Sequence, residues 1–232
     1  MKTQLFRLRK VEFSISLEYK TIDIEQFFEE FDKMNEQQFD KFLSIETIGF
    51  QYGFPKLAKY HRYEPTPYSG LDQLFEYYEM PTDGHFLDIG CGKGRVPIYI
   101  HHRFGIPVKG IEMDAKFFVE AEHNKDQYMK KSRNKHVPIQ FINGIAERYD
   151  ITKQDQVFFF FNPFSIHVFR EFMRNVLTSY EQNSRTIDIV LYYPSPDYLE
   201  YLQRDLALDV HLNIKLRHET NENERFVVFR IQ

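Results

Sequence analysis

The stretch Phe86-Leu87-Asp88-Ile89-Gly90-Cys91-Gly92-Lys93-Gly94-Arg95 joins a short apolar strand to the start of a helix. Its three glycines allow the backbone to turn sharply and to approach a ligand closely. The helix after Gly94 presents free N–H groups and the positive end of its dipole to that ligand. Cys91 fits the turn as a small residue rather than as a nucleophile. The stretch therefore predicts a cofactor-binding turn at the end of a buried strand.

The spacing of the glycines distinguishes two classes of cofactor. Dinucleotides place a pyrophosphate on a Gly-x-Gly-x-x-Gly turn. Here the pattern is Gly90-x-Gly92-x-Gly94, which is one residue shorter, and Asp88 lies two residues before the first glycine. A carboxylate there would repel a pyrophosphate, whereas it suits the ammonium group of a methionine moiety. The pattern thus favours S-adenosylmethionine over a nicotinamide cofactor.

A second acidic residue follows at the end of the next predicted strand, in Gly110-Ile111-Glu112-Met113-Asp114. Glu112 comes 18 positions after Gly94. A carboxylate at that strand end is placed to accept hydrogen bonds from both hydroxyls of a ribose. Asp114 already suits the start of the following helix, so Glu112 is free for the ribose role.

From about residue 71 onward, short apolar strands alternate with amphipathic helices, which is typical of a doubly wound α/β sheet. The predicted strands cover 85–89, 107–111, 138–142, 156–161 and 187–192, and two more around 210–216 and 226–231 form a hairpin. Asp114, Ser165 and Ser195 are the predicted helix N-caps, with Pro196 at the first helical position.

Residues 1–70 are rich in Phe, Tyr and charged residues and lack the alternation of strands and helices. They predict an N-terminal α+β extension or cap, separate from a cofactor-binding domain over 71–232. A strand is predicted over 11–19, and a Phe-rich amphipathic helix between Ile24 and Leu43. The Phe-lined face predicts packing against the main domain or a partner chain, which leaves a homodimer through the extension open. Tyr63 and Tyr68 flank prolines in an extended linker, and the extension is predicted to cover the acceptor side of the cleft with these rings facing the pocket. A packing arm or a dimer contact is the alternative of equal weight.

With these motifs, residues 71–232 resemble the class I, Rossmann-like, S-adenosylmethionine-dependent methyltransferases. The resemblance implies a seven-stranded, mostly parallel sheet that ends in an antiparallel hairpin. It implies that the glycine turn borders the methionine end of the cofactor and that Glu112 holds the ribose. The candidate cofactor-binding residues are Asp88, Gly90, Cys91, Gly92, Gly94, Glu112, Met113, Asn143, Gly144, Ile145, Ala146 and Asn162. The family often has an acid after the third strand, where this chain has Ile145, so backbone groups or Asn143 are expected to bind the adenine.

The fourth strand ends in Phe160-Phe161-Asn162-Pro163-Phe164, at the position that faces the methyl group in this family. Enzymes that methylate planar amino nitrogens have a similar Asn-Pro-Pro-aromatic motif, and this chain has one proline fewer. Asn162, Pro163 and Phe164 are therefore the candidate catalytic residues, with Phe164 expected to stack on a planar acceptor. The alternative, with equal weight, is that Asn162-Pro163 only ends a strand before the Ser165 cap.

Composition narrows the choice of acceptor. The chain of 232 residues has 30 basic and 34 acidic side chains, a formal net charge of −4. Bulk nucleic acid is not favoured, and a small-molecule or protein acceptor is slightly preferred. The single cysteine excludes a disulfide framework or a cysteine-based metal cluster, no metal site is expected, and a cytoplasmic location is the default. No run approaches the ~20 apolar residues of a membrane span.

The sequence thus predicts methyl transfer from S-adenosylmethionine to an unidentified acceptor. One alternative is an RNA or nucleobase amino-methyltransferase, which the Asn162-Pro163-Phe164 motif suggests. Another is a catalytically silent cofactor-binding module whose Phe-rich N-terminal part recruits a partner. Asp88 and Glu112 fit all three, because they bind the cofactor and do not react.

Overall fold

The computed structural model describes residues 34–49 and 63–232. The strand predicted over 11–19 and the beginning of the Phe-rich helix lie outside the described residues. The strands are β1 (His85–Ile89), β2 (Val108–Glu112), β3 (Ile139–Asn143), β4 (Asp155–Phe160), β5 (Ile187–Tyr192), β6 (Val210–Lys215) and β7 (Arg225–Ile231). The α-helices are α1 (Glu36–Leu43), α2 (Tyr68–Tyr77), α3 (Arg95–Phe104), α4 (Ala115–Lys131), α5 (Ile166–Gln182) and α6 (Pro196–Glu200).

The strands form one seven-stranded sheet in the order β3-β2-β1-β4-β5-β7-β6. Strands β1 to β5 pair in parallel, and β7 pairs antiparallel with both β5 and β6. The predicted fold, a mostly parallel sheet that ends in an antiparallel hairpin, is confirmed. The strand order reverses between β1 and β4, so a ligand crevice is expected outside the carboxyl ends of these two strands.

The position of β4 in the middle of the sheet explains why its sequence is almost continuously apolar. Phe158 and Phe160 face α5, where both rings lie edge-on to Phe172 at centroid distances of 5.6 and 5.5 Å. Phe159 points to the opposite face of the sheet and lies 6.0 Å from the ring of Phe86. Because both faces of the strand are covered, the run from Val157 to Phe160 is buried.

The helix starts show which of the predicted caps use a side chain. Asp114 caps α4, where its carboxylate accepts a hydrogen bond of 2.8 Å from the Lys116 amide. Ser165 and Ser195 stand at the N-cap positions of α5 and α6, but neither side chain makes a capping hydrogen bond. The expected positions are therefore right, and the expected capping bonds are wrong at both serines, where the extended backbone conformation alone begins the helix.

The described part of the N-terminal region packs directly on the helix that follows the glycine turn. Helix α1 begins with a capping box formed by Asn35 and Gln38. Its Phe39 ring stacks on Tyr68 at 4.4 Å and lies 6.4 Å from Tyr99 of α3. Helix α2 starts at Tyr68, inside the predicted linker, and the domain boundary near residue 70 remains a prediction. Within the described ranges, no helix combines the length and apolar character needed to cross a membrane.

Candidate functional site

The glycine turn links β1 to α3 in a backbone conformation that other residues rarely adopt. Gly90, Gly92 and Gly94 have φ angles of 82°, 52° and 84°, and Gly94 is the N-cap of α3. A Cβ atom on Gly90 would lie 2.7 Å from Cβ of Pro163. The missing side chain therefore lets the loop after β1 touch the loop after β4, at the strand ends where a ligand is expected.

Glu112 holds the turn from the end of β2. Its side chain is 9% exposed, and Oε2 accepts a hydrogen bond of 2.8 Å from the Gly92 amide. Oε1 accepts one of 2.7 Å from the amide of Asp114. Burial raises the pKa of Glu112, and the backbone N–H groups oppose that rise. Glu112 thus shapes the glycine turn itself, a role that its position in the sequence does not reveal.

Asp88 lies on β1 just before the turn, with only 4% of its surface exposed. Among the described residues, none donates a hydrogen bond to its carboxylate or forms an ion pair with it. Burial raises the pKa of Asp88 well above its usual range, and the charge of Glu112 raises it further. A buried carboxylate without partners is unfavourable in the fold alone, and such groups mark binding sites more often than structural ones.

The segment after β3 lies at the carboxyl end of the neighbouring strand. The Asn143 side chain donates to the carbonyls of Glu112 and Met113, at 2.9 and 3.3 Å, so it ties β3 to β2. Gly144 has open space where a side chain would be, with no atom within 4 Å of an added Cβ. Ala146 is buried in the core at 4% exposure, so its methyl group does not face the crevice. The open side of this segment is therefore at Gly144.

The loop after β4 gives the three candidate catalytic residues different environments. Asn162 is half-buried in a left-handed conformation with φ of 40°, and Pro163 faces Gly90. Phe164 is 2% exposed and belongs to the core under α5, and its carbonyl accepts a hydrogen bond from the Tyr198 hydroxyl. The ring of Phe164 lies in the core, which does not favour the expected stacking, and that stacking remains a prediction.

Three solved structures share the fold of this chain at low sequence identity. One is an RNA methyltransferase from Salinibacter ruber in complex with S-adenosyl-L-homocysteine, 20% identical, covering 72% of this chain and 92% of that one with a TM-score of 0.51. A second is a SAM-dependent methyltransferase from Aquifex aeolicus, 11% identical, covering 69% and 89% with a TM-score of 0.51. This is the class I S-adenosylmethionine-dependent methyltransferase fold.

The third structure has the same fold within a longer chain. It is the phosphoethanolamine N-methyltransferase 1 of Haemonchus contortus, with phosphoethanolamine and S-adenosylhomocysteine. It is 14% identical, covers 70% of this chain and 42% of its own, and has a TM-score of 0.50. No protein-family model and no curated protein sequence matches the chain.

Two aromatic residues that the sequence did not single out lie on the rim of this methyltransferase fold. Phe161 and Tyr193 are half-buried, directly after the last residues of β4 and β5, with ring centroids 6.4 Å apart. Phe161 also lies 4.6 Å from the ring of Tyr192. Only their positions in the sequence could have identified them. Both directly follow parallel strands, and ligands bind outside the carboxyl ends of such strands.

Tyr192, which lies against Phe161, has carboxylates near it. The Tyr192 hydroxyl donates a hydrogen bond to Glu224, in the loop between β6 and β7. Burial raises the pKa of Tyr192, and so do the Glu224 bond and the charges of Glu224, Glu219 and Glu64. The rim beside β4 and β5 is therefore both aromatic and acidic.

Proposed function

We propose that the chain binds S-adenosylmethionine, and S-adenosylhomocysteine, in the crevice at the carboxyl ends of β1 and β2. The observation that best supports this is Asp88, a buried carboxylate that lacks a partner among the described residues and lies beside the glycine turn. A ligand ammonium at this point would supply the missing charge partner. The structural neighbours with bound S-adenosylhomocysteine share this fold and so support the same proposal.

The remaining cofactor contacts are assigned by the chemistry of the residues present. A carboxylate has about four lone-pair positions, and each Glu112 oxygen uses one for a backbone N–H. Glu112 therefore retains acceptors for the two ribose hydroxyls. The open side of Gly144, next to Met113 and Ile145, suits the flat adenine, which leaves backbone groups to bind its edge. When bound, the sulfonium of the cofactor supplies an electrophilic methyl group.

We further infer that the chain transfers this methyl group to an acceptor bound beside Phe161, Asn162, Pro163 and Tyr193. The main task of these residues is to hold the acceptor in line, since positioning alone contributes several kcal/mol to such reactions. No general base is required by this chemistry. Asn162 and the backbone carbonyl of Pro163, a residue that has no N–H donor, are the groups that we expect to orient the acceptor.

A small-molecule or protein acceptor fits the rim better than a phosphate backbone. Glu64, Glu219 and Glu224 lie close enough to Tyr192 to raise its pKa, and such carboxylates repel phosphates. The partial Asn162-Pro163 motif supports the alternative of an RNA or nucleobase amino-methyltransferase. The burial of Phe164 weakens that alternative, because it does not favour the expected stacking of the ring.

Calorimetry tests the first step. The protein should release or absorb heat with S-adenosylmethionine and with S-adenosylhomocysteine at up to millimolar concentration, and NAD serves as the comparison ligand. A response to NAD alone would contradict the proposal.

Incubation with methyl-labelled cofactor and cell extracts tests the second step, using parallel samples treated with ribonuclease or protease. Label that survives both treatments identifies a small-molecule acceptor, and label lost to one enzyme identifies RNA or protein. Cofactor binding without any labelled product would favour the silent binding module. Once an acceptor is known, Asn162→Ala should lower turnover far more than it lowers cofactor affinity.

A further inference from the structure

Two N-terminal segments cover the glycine turn from the side of α3 and α4. We call residues 36–48 and 63–68 together the clamp. Between them and the turn lies Arg95, the first residue of α3 and the neighbour of Gly94. Arg95 is 3% exposed, so its charge is almost completely removed from water.

The guanidinium of Arg95 joins both segments of the clamp. Its Nε donates to Thr47 Oγ1 at 2.6 Å, in the first segment. Its Nη1 donates to the carbonyl of Thr66 at 3.1 Å, in the second, and pairs with the Glu36 carboxylate. The ring of Tyr68 lies 4.3 Å from the guanidinium carbon, within the range of a cation–π contact. One side chain at the start of α3 therefore fixes the two segments together.

Asp40 completes this buried network. Its Oδ2 accepts hydrogen bonds from the amides of Thr47 and Ile48, at 2.6 and 3.2 Å. Its Oδ1 accepts from the Tyr68 hydroxyl at 2.7 Å and lies 3.6 Å from Nη2 of Arg95. The two opposite charges and their hydrogen bonds give the clamp a defined geometry, which is the best-attested use of a buried ion pair.

The clamp places one aromatic ring on the glycine turn. The Tyr63 hydroxyl donates to the carbonyl of Thr47 at 2.7 Å. Its ring lies so close to Gly92 that a Cβ there would be 2.1 Å from a ring carbon. The ring also packs on Phe117, at a centroid distance of 4.8 Å. Gly92 is thus held between Tyr63 and the carboxylate of Glu112, which accepts from its amide.

A second tie joins the clamp to the turn through α4. The Asn124 side chain is 3% exposed and donates to the carbonyl of Lys93, within the turn, at 2.9 Å. The Asn124 side chain also donates to the backbone carbonyl of Glu46 at 3.2 Å, and its oxygen accepts a hydrogen bond from the backbone N–H of Glu46 at 2.9 Å. The Asn124 side chain therefore bonds both the turn and the clamp.

We propose that Tyr63 forms a wall of the cofactor crevice and that Arg95 is the positioning residue that holds this wall in place. This inference rests on the proposed binding of S-adenosylmethionine at the glycine turn. A turn that is ordered before the ligand arrives loses less conformational entropy on binding. Closure of the clamp and cofactor binding should therefore strengthen each other, although Arg95 does not touch the cofactor.

The test compares the affinity for S-adenosylhomocysteine in full-length variants that remain folded at the temperature used. Tyr63→Ala removes the ring, Tyr63→Phe removes only the bond to Thr47, and Arg95→Lys keeps the charge but loses the planar fork. We expect Tyr63→Ala and Arg95→Lys to raise Kd by a factor of about 5 to 150, the usual range of coupling between sites. Tyr63→Phe should have a smaller effect, because its ring still covers Gly92.

Tyr78→Phe is the matched control. The Tyr78 hydroxyl is buried and donates to Asp188 Oδ2 at 2.7 Å, away from the turn. Its loss should lower stability and leave Kd unchanged. An unchanged Kd in folded Tyr63→Ala and Arg95→Lys would overturn the inference, as would an equal rise of Kd in Tyr78→Phe.

Hydrogen exchange supplies a readout that is independent of any substitution. Coupling is reciprocal, so saturating S-adenosylhomocysteine should slow exchange of the clamp amides, including those of Thr47 and Ile48. The factor should match the loss of affinity in Tyr63→Ala. Absence of protection in the clamp while the ligand binds would overturn the inference alone. Absence of ligand binding to the wild type would overturn the proposed function and this inference together.

Discussion

Two buried aspartates, at the amino end of one central strand and near the carboxyl end of its neighbour, have contrasting surroundings. Asp155 begins β4 and is 0% exposed, yet Lys109 Nζ donates to its Oδ1 at 2.8 Å. Its Oδ2 accepts from the Tyr149 hydroxyl at 2.9 Å and from the Thr152 amide at 2.8 Å. Asp88, near the carboxyl end of β1, is 4% exposed and has no such donors within the part of the chain that the structure describes.

The difference separates a structural carboxylate from one that is suited to a ligand. Burying a charge is costly, and the cost is offset only where hydrogen bonds and an opposite charge surround it. Asp155 has these partners inside the fold, so it stabilises the packing at the amino ends of the strands. Asp88 lacks them among the described residues, and we propose that a ligand bound at the carboxyl ends of the strands supplies its partner.

The largest effect is expected from Asp155→Ala. Removal of this carboxylate leaves the buried amine of Lys109 without its partner, and breaking such a pair costs about 3–5 kcal/mol. Urea unfolding should show this loss in the free energy of unfolding. Affinity for S-adenosylhomocysteine should stay unchanged at a temperature where the variant is folded. A normal stability would mean that Asp155 is not structural.

Glu112→Ala should affect both stability and binding. It leaves the amides of Gly92 and Asp114 without their acceptor, at a cost of about 1–3 kcal/mol of stability. It should also weaken cofactor binding by about 1.5–3 kcal/mol, the scale of hydrogen bonds to a charged group. Thermal unfolding and calorimetry measure the two effects separately. Unchanged affinity in the folded variant would place the ribose elsewhere.

Asp88→Asn should separate binding from stability. The substitution removes a buried charge that has no partner in the fold, so the free energy of unfolding near neutral pH should stay equal or rise. The loss of a charge-assisted contact to the ligand ammonium should weaken binding of S-adenosylhomocysteine by about 1.5–3 kcal/mol. Chemical denaturation with calorimetry on the same sample checks both. A large loss of stability would make Asp88 structural, like Asp155.

The smallest expected effect is that of pH on the difference in the free energy of unfolding between the wild type and Asp88→Asn. Burial and the charge of Glu112 raise the pKa of Asp88 in the folded state above its ordinary value of 3.8. The protonated form is therefore favoured by folding, and its contribution to stability is lost as the pH rises from the unfolded pKa through the folded one. Unfolding curves at a series of pH values should show that the free energy of unfolding of Asp88→Asn rises relative to that of the wild type over that range. A constant difference would contradict a raised pKa.

Local patterns predicted most of the fold because they depend on near neighbours along the chain. The observed β1 and β5 have the predicted bounds, and the observed β2, β3 and β4 differ from prediction by one residue. The Asp114 cap was predictable because its acceptor, the Lys116 amide, is two residues away. The environment of Phe164 was not predictable, since the direction of its ring depends on α5 and Tyr198.

The sequence by itself determined the order of strands and helices, the glycine turn and the spacing of Asp88 and Glu112, because alternation and backbone conformation are local properties. Only the tertiary structure decided the partners of these groups. The bond from Gly92 to Glu112 spans 20 positions, and the pair of Arg95 with Glu36 spans 59. Such partners are selected by packing of distant segments, and only the folded structure shows that Asp88 has none among the described residues.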